Sequence, residues 1–282
     1  MIEILQSGLY TSIQDLGRVQ YRNFGVPVSG VMDPYHAILA NQLLGNDEND
    51  AVLEMTLQGP RMRFHEATQI VICGANLSPT LNNQPIRLNL PMNVSKGDQL
   101  DFGKRQYGVR AYLAVKNGFQ TEKILQSRSS YEGITPKSRV ATGDFIPYQT
   151  DTTQIQTKAN IAIQHEIFTN SVLQVYEGPE FEFLSTKQQE ILFNQRFSVG
   201  LNNRMAYQSE EIVANDCPSI ITSAVLPGTV QLTPSGKLII LMKDCQTTGG
   251  YPRILQLDAQ SMIALAQKHT KDRIYFKKLL VL

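Results

Sequence analysis

The chain has 282 residues, 42% of them hydrophobic and 18% charged, with a formal net charge of +1. Such a composition describes a folded protein with a sizeable core, in one large domain or two modest ones, and excludes an intrinsically disordered chain. With 26 Lys plus Arg against 25 Asp plus Glu, and no dense basic run, it also argues against a nucleic-acid partner.

The opening residues 1–6 have neither a basic leader nor a long apolar core, so no secretory signal is expected. The strongest apolar stretches, 70–73 and 238–242, have the length of strands and are too short to cross a bilayer. Three cysteines, Cys73, Cys217 and Cys245, are few, odd in number and far apart. That usage predicts a reducing, cytoplasmic setting, with each thiol buried or half-buried.

In chain order, the first predicted helix begins at Asp33, an N-cap residue, with Pro34 in the favoured first position. It continues through Ala37, Ile38, Leu43 and Leu44 and stops at Gly45. Residues 68–73 and 109–115 are rich in β-branched and aromatic side chains and read as strands. Leu81-Asn82-Asn83-Gln84 reads as a tight hairpin, and Lys96-Gly97-Asp98 and Thr142-Gly143-Asp144 as turns.

Residues 148–157 are the least apolar and are expected to connect two domains, 1–150 and 158–282. Ser185-Thr186-Lys187-Gln188 has the form of a capping box leading into Ile191 and Leu192. Pro234-Ser235-Gly236-Lys237 predicts another hairpin. A third helix begins near Asp258 and turns Met262, Ile263, Leu265 and Ala266 to the core, and 273–276 closes the series as a strand. Three helices among about twenty short strands predict a mainly β architecture, barrel or sandwich. Residues 57–64 are echoed in type by 176–183, which fits either two related barrels in tandem or chance.

Four familiar chemistries lack their residues. His36, His65, His165 and His269 show no ligand spacing with Cys or acids, so no metal site is expected. There is no phosphate loop, dinucleotide fingerprint or nucleophile-elbow serine. No Met-Lys-Met segment offers a lysine for biotin, which is therefore not expected on this chain.

Four polar segments remain. In 11–18, Arg18 beside Gly17 can offer a forked donor to a carboxylate or phosphate, or can pair with Asp15 across a turn. In Ser127-Arg128-Ser129-Ser130, hydroxyls around an arginine suit an anion, as they suit an exposed loop. In 201–207, Arg204 and Tyr207 can point together to hold a planar amide or carboxylate, or can stack on each other. The fourth segment joins 228–232 to Asp244-Cys245-Gln246-Thr247-Thr248-Gly249-Gly250-Tyr251. Paired glycines let a backbone approach a ligand closely, and Asp244 can accept from an amide or serve as a general base. A glycine-rich bulge or barrel corner is the structural alternative.

These segments carry a resemblance. Residues 14–18, Gly25-Val26-Pro27 with Ser29-Gly30, Met32-Asp33-Pro34, Asn41 with Gly45-Asn46-Asp47, and 57–64 resemble the allophanate hydrolase subunit 2 family. So do Ser127-Arg128-Ser129, Asn203-Arg204-Met205, 227–231 and 246–251, in order over nearly the whole chain. This family is also called the biotin-dependent carboxyltransferase domain family. The resemblance implies two tandem cyclophilin-like β-barrels with a few short helices. It implies one component of an ATP-dependent 5-oxoprolinase, active only in complex with its A and B subunits, the B subunit being kinase-inhibitor-like. ATP would serve the complex in opening the lactam of 5-oxoproline to glutamate. Asp244, Arg204 and Tyr207 would then be catalytic, with Arg18, Arg128, Ser129, Gln231, Gln246, Thr247, Thr248, Gly249 and Gly250 holding substrate. Two alternatives come with the family: a biotin-dependent carboxyltransferase acting on a urea-like amide, and a non-catalytic partner that antagonises a sensor-kinase inhibitor. Residues 131–136 depart from the glycine-rich loop that many relatives carry there.

Overall fold

The computed structural model describes residues 1–150, 164–218 and 220–279. Its described residues form twenty strands and four α-helices, the unexpected helix being the short His165–Thr169. The fold is mainly β, as the turn-punctuated sequence predicts. Two compact units divide the chain: Met1–Arg18 with Ser29–Gln164, and Val19–Val28 with His165–Leu282. The segment Val19–Val28, which a mid-chain division assigns to the first half, groups with the second. The expected connection at 148–157 lies, from 151 onward, outside the described residues.

In the N-terminal unit, two sheets of antiparallel strands share one core. The five-stranded sheet runs in the order Tyr10–Gln14, Val52–Thr56, Tyr107–Val115, Thr68–Asn76, Met92–Val94. The six-stranded sheet has Phe145–Ile146, Ile2–Gln6, Arg61–Phe64, Gln99–Phe102, Pro79–Leu81 and Gln84–Pro85 in that order. Strand alternation puts Leu53, Met55, Ile70, Ile72, Ala111 and Leu113 against Ile2, Ile4, Met62, Phe64 and Leu100. The intervening Val52, Val71, Cys73, Tyr112 and Ala114 are covered by Ala37, Ala40, Leu43 and Leu44, most of them from the helix Pro34–Leu43. A sheet buried on both faces explains why 68–73 and 109–115 read as unbroken apolar runs.

The helix start is built as the sequence predicts. Asp33 accepts from the His36 N–H at 3.1 Å and also meets His36 Nδ1 at 2.6 Å. A cap of this kind stabilises by about 1 kcal/mol. Asn82 and Asn83 both have positive φ, 51° and 65°, giving the tight hairpin that their type favours.

The C-terminal unit closes a seven-stranded barrel. Around it run Val172–Glu177, Arg253–Leu257, Thr229–Leu232, Lys237–Leu241, Ala206–Ile212, Phe197–Asn202 and Arg273–Lys278. The last of these pairs in parallel with the first, and closure leaves no free edge. Register brings Val175 beside Leu257, Val230 beside Leu255 and Ile240, Leu232 beside Leu238, and Tyr207 beside Ile240. All are buried and form the interior wall. The capping box at Ser185 and the Asp258 cap of Ala259–Ala266 are both present. The echo of 57–64 in 176–183 does not repeat structurally: Arg61–Phe64 is a strand, whereas Phe181–Phe183 is a 3-10 turn.

Candidate functional site

The polar segments gather at two places, one in each unit. In the N-terminal unit the organiser is Asp15. Its Oδ1 accepts from the hydroxyls of Ser127 and Ser129, both at 2.6 Å, and from the Gly17 N–H at 2.8 Å. Its Oδ2 accepts from the Arg128 N–H at 2.6 Å. Charge-assisted bonds of this number fix a loop firmly. They hold 127–129 next to a two-residue turn, Leu125-Gln126, in which both residues have positive φ, 51° and 63°. Non-glycine residues pay conformational strain there, so the loop's shape is imposed by its anchors.

Arg18 reaches beyond its own turn, and its Nη2 donates to the Ser129 carbonyl. Arg128 donates to the Thr121 carbonyl and, at 2.9 Å, to Gln120 Oε1. Each guanidinium thus donates to at least one protein oxygen. Their first role is to brace the loop that carries Ser129.

In the C-terminal unit the sequence-predicted residues meet on the outside of the barrel wall. Since Tyr207, Ile240 and Val230 face inward, the rung Gln208–Ile239–Gln231, read across three adjacent strands, faces outward. Ile239 and Ala206 pack there on a small cluster of Val225, Leu241 and Cys245. Burial pushes the Cys245 thiol up to about 11, against the opposing pull of the Arg22 guanidinium, so it is a packing residue.

A cleft of about 470 Å³ opens at this rung, lined by carboxamides from Asn202, Asn203, Gln208, Gln231 and Gln246, and by Tyr251. Leu201, Met205, Ala206, Ile239 and Leu241 complete the lining, which contains no Asp, Glu, Lys, Arg or His. Gln231 is 1% exposed, and its Nε2 donates to the Tyr251 carbonyl at 3.1 Å. Gly249 makes that pose possible: a Cβ there would stand 2.7 Å from Gln231 Nε2.

The glycine segment is itself held by strand pairing beside the cleft. Thr248 and Gly249 pair with Ala224 and Ser223, and the Thr247 carbonyl accepts from the Val225 N–H at 3.1 Å. The segment is a clamp on the cluster beneath, with Gly250 exposed beside it.

Arg204 and Asp244 form a two-pronged pair, Nε to Oδ2 at 2.9 Å and Nη2 to Oδ1 at 3.0 Å. A backbone bond from the Asp244 N–H to the Arg204 carbonyl, also 2.9 Å, ties the same two residues. Tyr207 does not join them. It is 1% exposed in the barrel interior and its hydroxyl donates to the Lys268 carbonyl at 3.2 Å. Alternation along a strand is the reason, because the inward-facing Tyr207 lies three positions after Arg204 in the turn, an odd offset that reverses the face. The same alternation points to Gln208, the cleft residue that motif reading missed.

Among the described residues no cluster of His, Cys, Asp and Glu is arranged to hold a metal ion, and no helix is long and apolar enough to cross a membrane.

Comparison with known proteins places this architecture. The C subunit of the Escherichia coli K12 5-oxoprolinase is 29% identical over 98% of this chain and 90% of its own length. That of Haemophilus influenzae is 30% identical over 98% and 91%. The crystal structure of the Kluyveromyces lactis urea amidolyase superposes with a TM-score of 0.85 at 27% identity, covering 99% of this chain and 19% of that one. Another solved chain, 24% identical with a TM-score of 0.86, shares the fold, and this chain spans about half of it, 55%. The family model for the carboxyltransferase domain, subdomain A and B, matches residues 24–278, and the chain belongs to that family.

Proposed function

We propose that this chain is the C subunit of an ATP-dependent 5-oxoprolinase, acting in the cytoplasm with the A and B subunits to open the lactam of 5-oxo-L-proline to L-glutamate. The observation that carries the reading is two-way coverage: the likeness to the E. coli protein takes in 98% of this chain and 90% of that one. The carboxamide-lined cleft supports it chemically, since amide side chains complement a planar amide with both donors and acceptors.

Ring opening adds water across the lactam C–N bond, and the ring nitrogen leaves as the amine of glutamate. ATP supplies, when bound, a phosphoryl group able to activate a lactam oxygen. The C-terminal cleft offers no cation to a triphosphate, so ATP does not fit there. What the chain contributes is orientation of the amide. Arg204 and Asp244 act as positioning groups that hold the turn carrying Asn203 and Met205. Asp244 has both oxygens on the one guanidinium, which fixes the orientation of that turn.

The test is reconstitution: the chain, with the A and B subunits, assayed for glutamate release from 5-oxoproline with and without ATP. Release that needs ATP and all three proteins supports the proposal. A stable complex without release favours the binding-partner role. The second reading, a carboxyltransferase for a urea-like amide, is favoured by the likeness to urea amidolyase, and transfer from a carboxybiotinylated carrier to urea would establish it.

A further inference from the structure

Within the cleft, two carboxamides have their orientation set by the backbone. Gln231 gives its Nε2 to the Tyr251 carbonyl, which leaves Oε1, the other edge of the same amide, with no donor among the described residues. This is a polar group on an almost wholly buried side chain, at the wall of a cleft. The oxygen is not among the acceptors sealed inside the protein, so a donor that enters the cleft can reach it. Asn203 is set in the opposite sense. Its Oδ1 accepts from the N–H groups of Met205 and Ala206, at 2.8 and 3.0 Å, which turns its Nδ2 edge away from the turn. Gln208, half-buried on the rung beside Ile239, makes no side-chain hydrogen bond with a described residue.

The cleft therefore offers a fixed acceptor and amide donors, with no ionised side chain among its lining residues. A carboxylate placed there would lose its hydration without gaining a countercharge. An uncharged group that carries an N–H beside a C=O has the matching pattern.

We propose that Gln231 is a specificity residue that accepts the N–H of an uncharged cis-amide edge, as in a lactam ring, and that the cleft excludes carboxylates and amide isosteres lacking that N–H. This rests on the reading of the cleft as the amide site, and it goes further by assigning which edge of the ligand is read and by which atom. Applied to 5-oxoproline, it puts the lactam edge against the wall and the carboxylate at the mouth. Gly249 is the supporting position, because a side chain there would displace the Gln231 amide.

The test uses the full chain alone, so it does not depend on ATP, partner proteins or turnover. Binding of 2-pyrrolidinone is measured by ligand-observed NMR and compared with γ-butyrolactone, which has the same ring with oxygen in place of N–H. The expected result is saturable binding of the lactam, with the lactone weaker by about tenfold or more, because a site built around one hydrogen bond rejects the analogue that lacks it. Gln231→Leu should abolish the preference, and Gly249→Ala, which keeps every polar group of the wall, should reduce it. Equal binding of lactam and lactone, no lactam binding, or a preference that survives in both variants would overturn the proposal. Failure here combined with ATP-dependent release in the reconstituted enzyme would place the amide site elsewhere and leave the oxoprolinase role standing.

Discussion

The Arg204–Asp244 pair gives the sharpest test of how the cleft is supported. Arg204 is 6% exposed and the Asp244 side chain 12%, so neither charge has much access to water. Removing one partner leaves the other charge poorly solvated, which for a buried pair costs about 3–5 kcal/mol; the residual exposure favours the lower end, about 3 kcal/mol for Asp244→Ala. Replacing both with apolar residues of similar size removes the orphaned charge along with its partner. Arg204→Met with Asp244→Leu should therefore lie within about 1 kcal/mol of the parent. The chain contains no Trp, so unfolding in urea is best followed by far-UV circular dichroism, fitted with separate transitions for the two units. A loss of about 3 kcal/mol corresponds to roughly 10 °C in Tm for a unit of this size. The reasoning is refuted if Asp244→Ala costs under about 1 kcal/mol, or if the double variant is as unstable as the two single changes summed. Turnover adds a second readout. If the pair only positions the turn, the double variant regains stability and keeps much of its activity.

Three further outcomes follow from the geometry. Asp15→Asn puts an amide donor where the carboxylate accepts four hydrogen bonds; it should cost about 2–3 kcal/mol, with faster amide exchange confined to 124–130. Unchanged exchange there would show that the loop does not depend on Asp15. The Glu180 carboxyl is held below its ordinary 4.5, chiefly by hydrogen bonds from the Arg253 side chain, against a smaller opposing effect of burial. A depressed folded value means stability present above the unfolded value and lost as pH falls through the folded one. Glu180→Gln should thus cost about 2 kcal/mol at pH 7, a gap that closes as pH drops below about 4.5; a gap constant down to about pH 3 would refute it. At Gly178 a Cβ would stand 2.1 Å from the Arg253 carbonyl oxygen, a backbone atom with little room to move. Gly178→Ala should destabilise the barrel by about 1–3 kcal/mol in the same urea assay, and a neutral result would mean that the strand ends yield more easily than packing suggests.

The placement of the cleft has a physical logic. A small closed barrel fills its interior with side chains, leaving no room there for a ligand. Polar residues on its strands then face outward, and a site requires something to wall them in. Here the clamp of 223–225 on 247–249 and the turn at 203–206 supply that wall, with Cys245 and Val225 as its packing. Glycine at 249 is needed because the clamp passes directly over the Gln231 amide.

Much of the local structure was readable in the residues themselves, because it depends on neighbours a few positions away. The caps at Asp33, Ser185 and Asp258 were of this kind, and so was the hairpin at Asn82-Asn83: each places a side-chain acceptor or a left-handed residue where the next turn of chain requires it. The β-rich class was equally legible, since turn residues and apolar alternation repeat at short range. The roles of the polar residues were not. Arg18 and Asp15 are three residues apart, yet the hydrogen bonds that define them run to a loop more than 100 positions away. Arg204 and Tyr207 share one short segment but are separated by the barrel wall, while Gln208 and Gln231 meet across the strand of Ile239. Sequence determined which groups were available for chemistry. Register and barrel closure decided which of them face one another, because facing depends on strands that pair only in the folded chain.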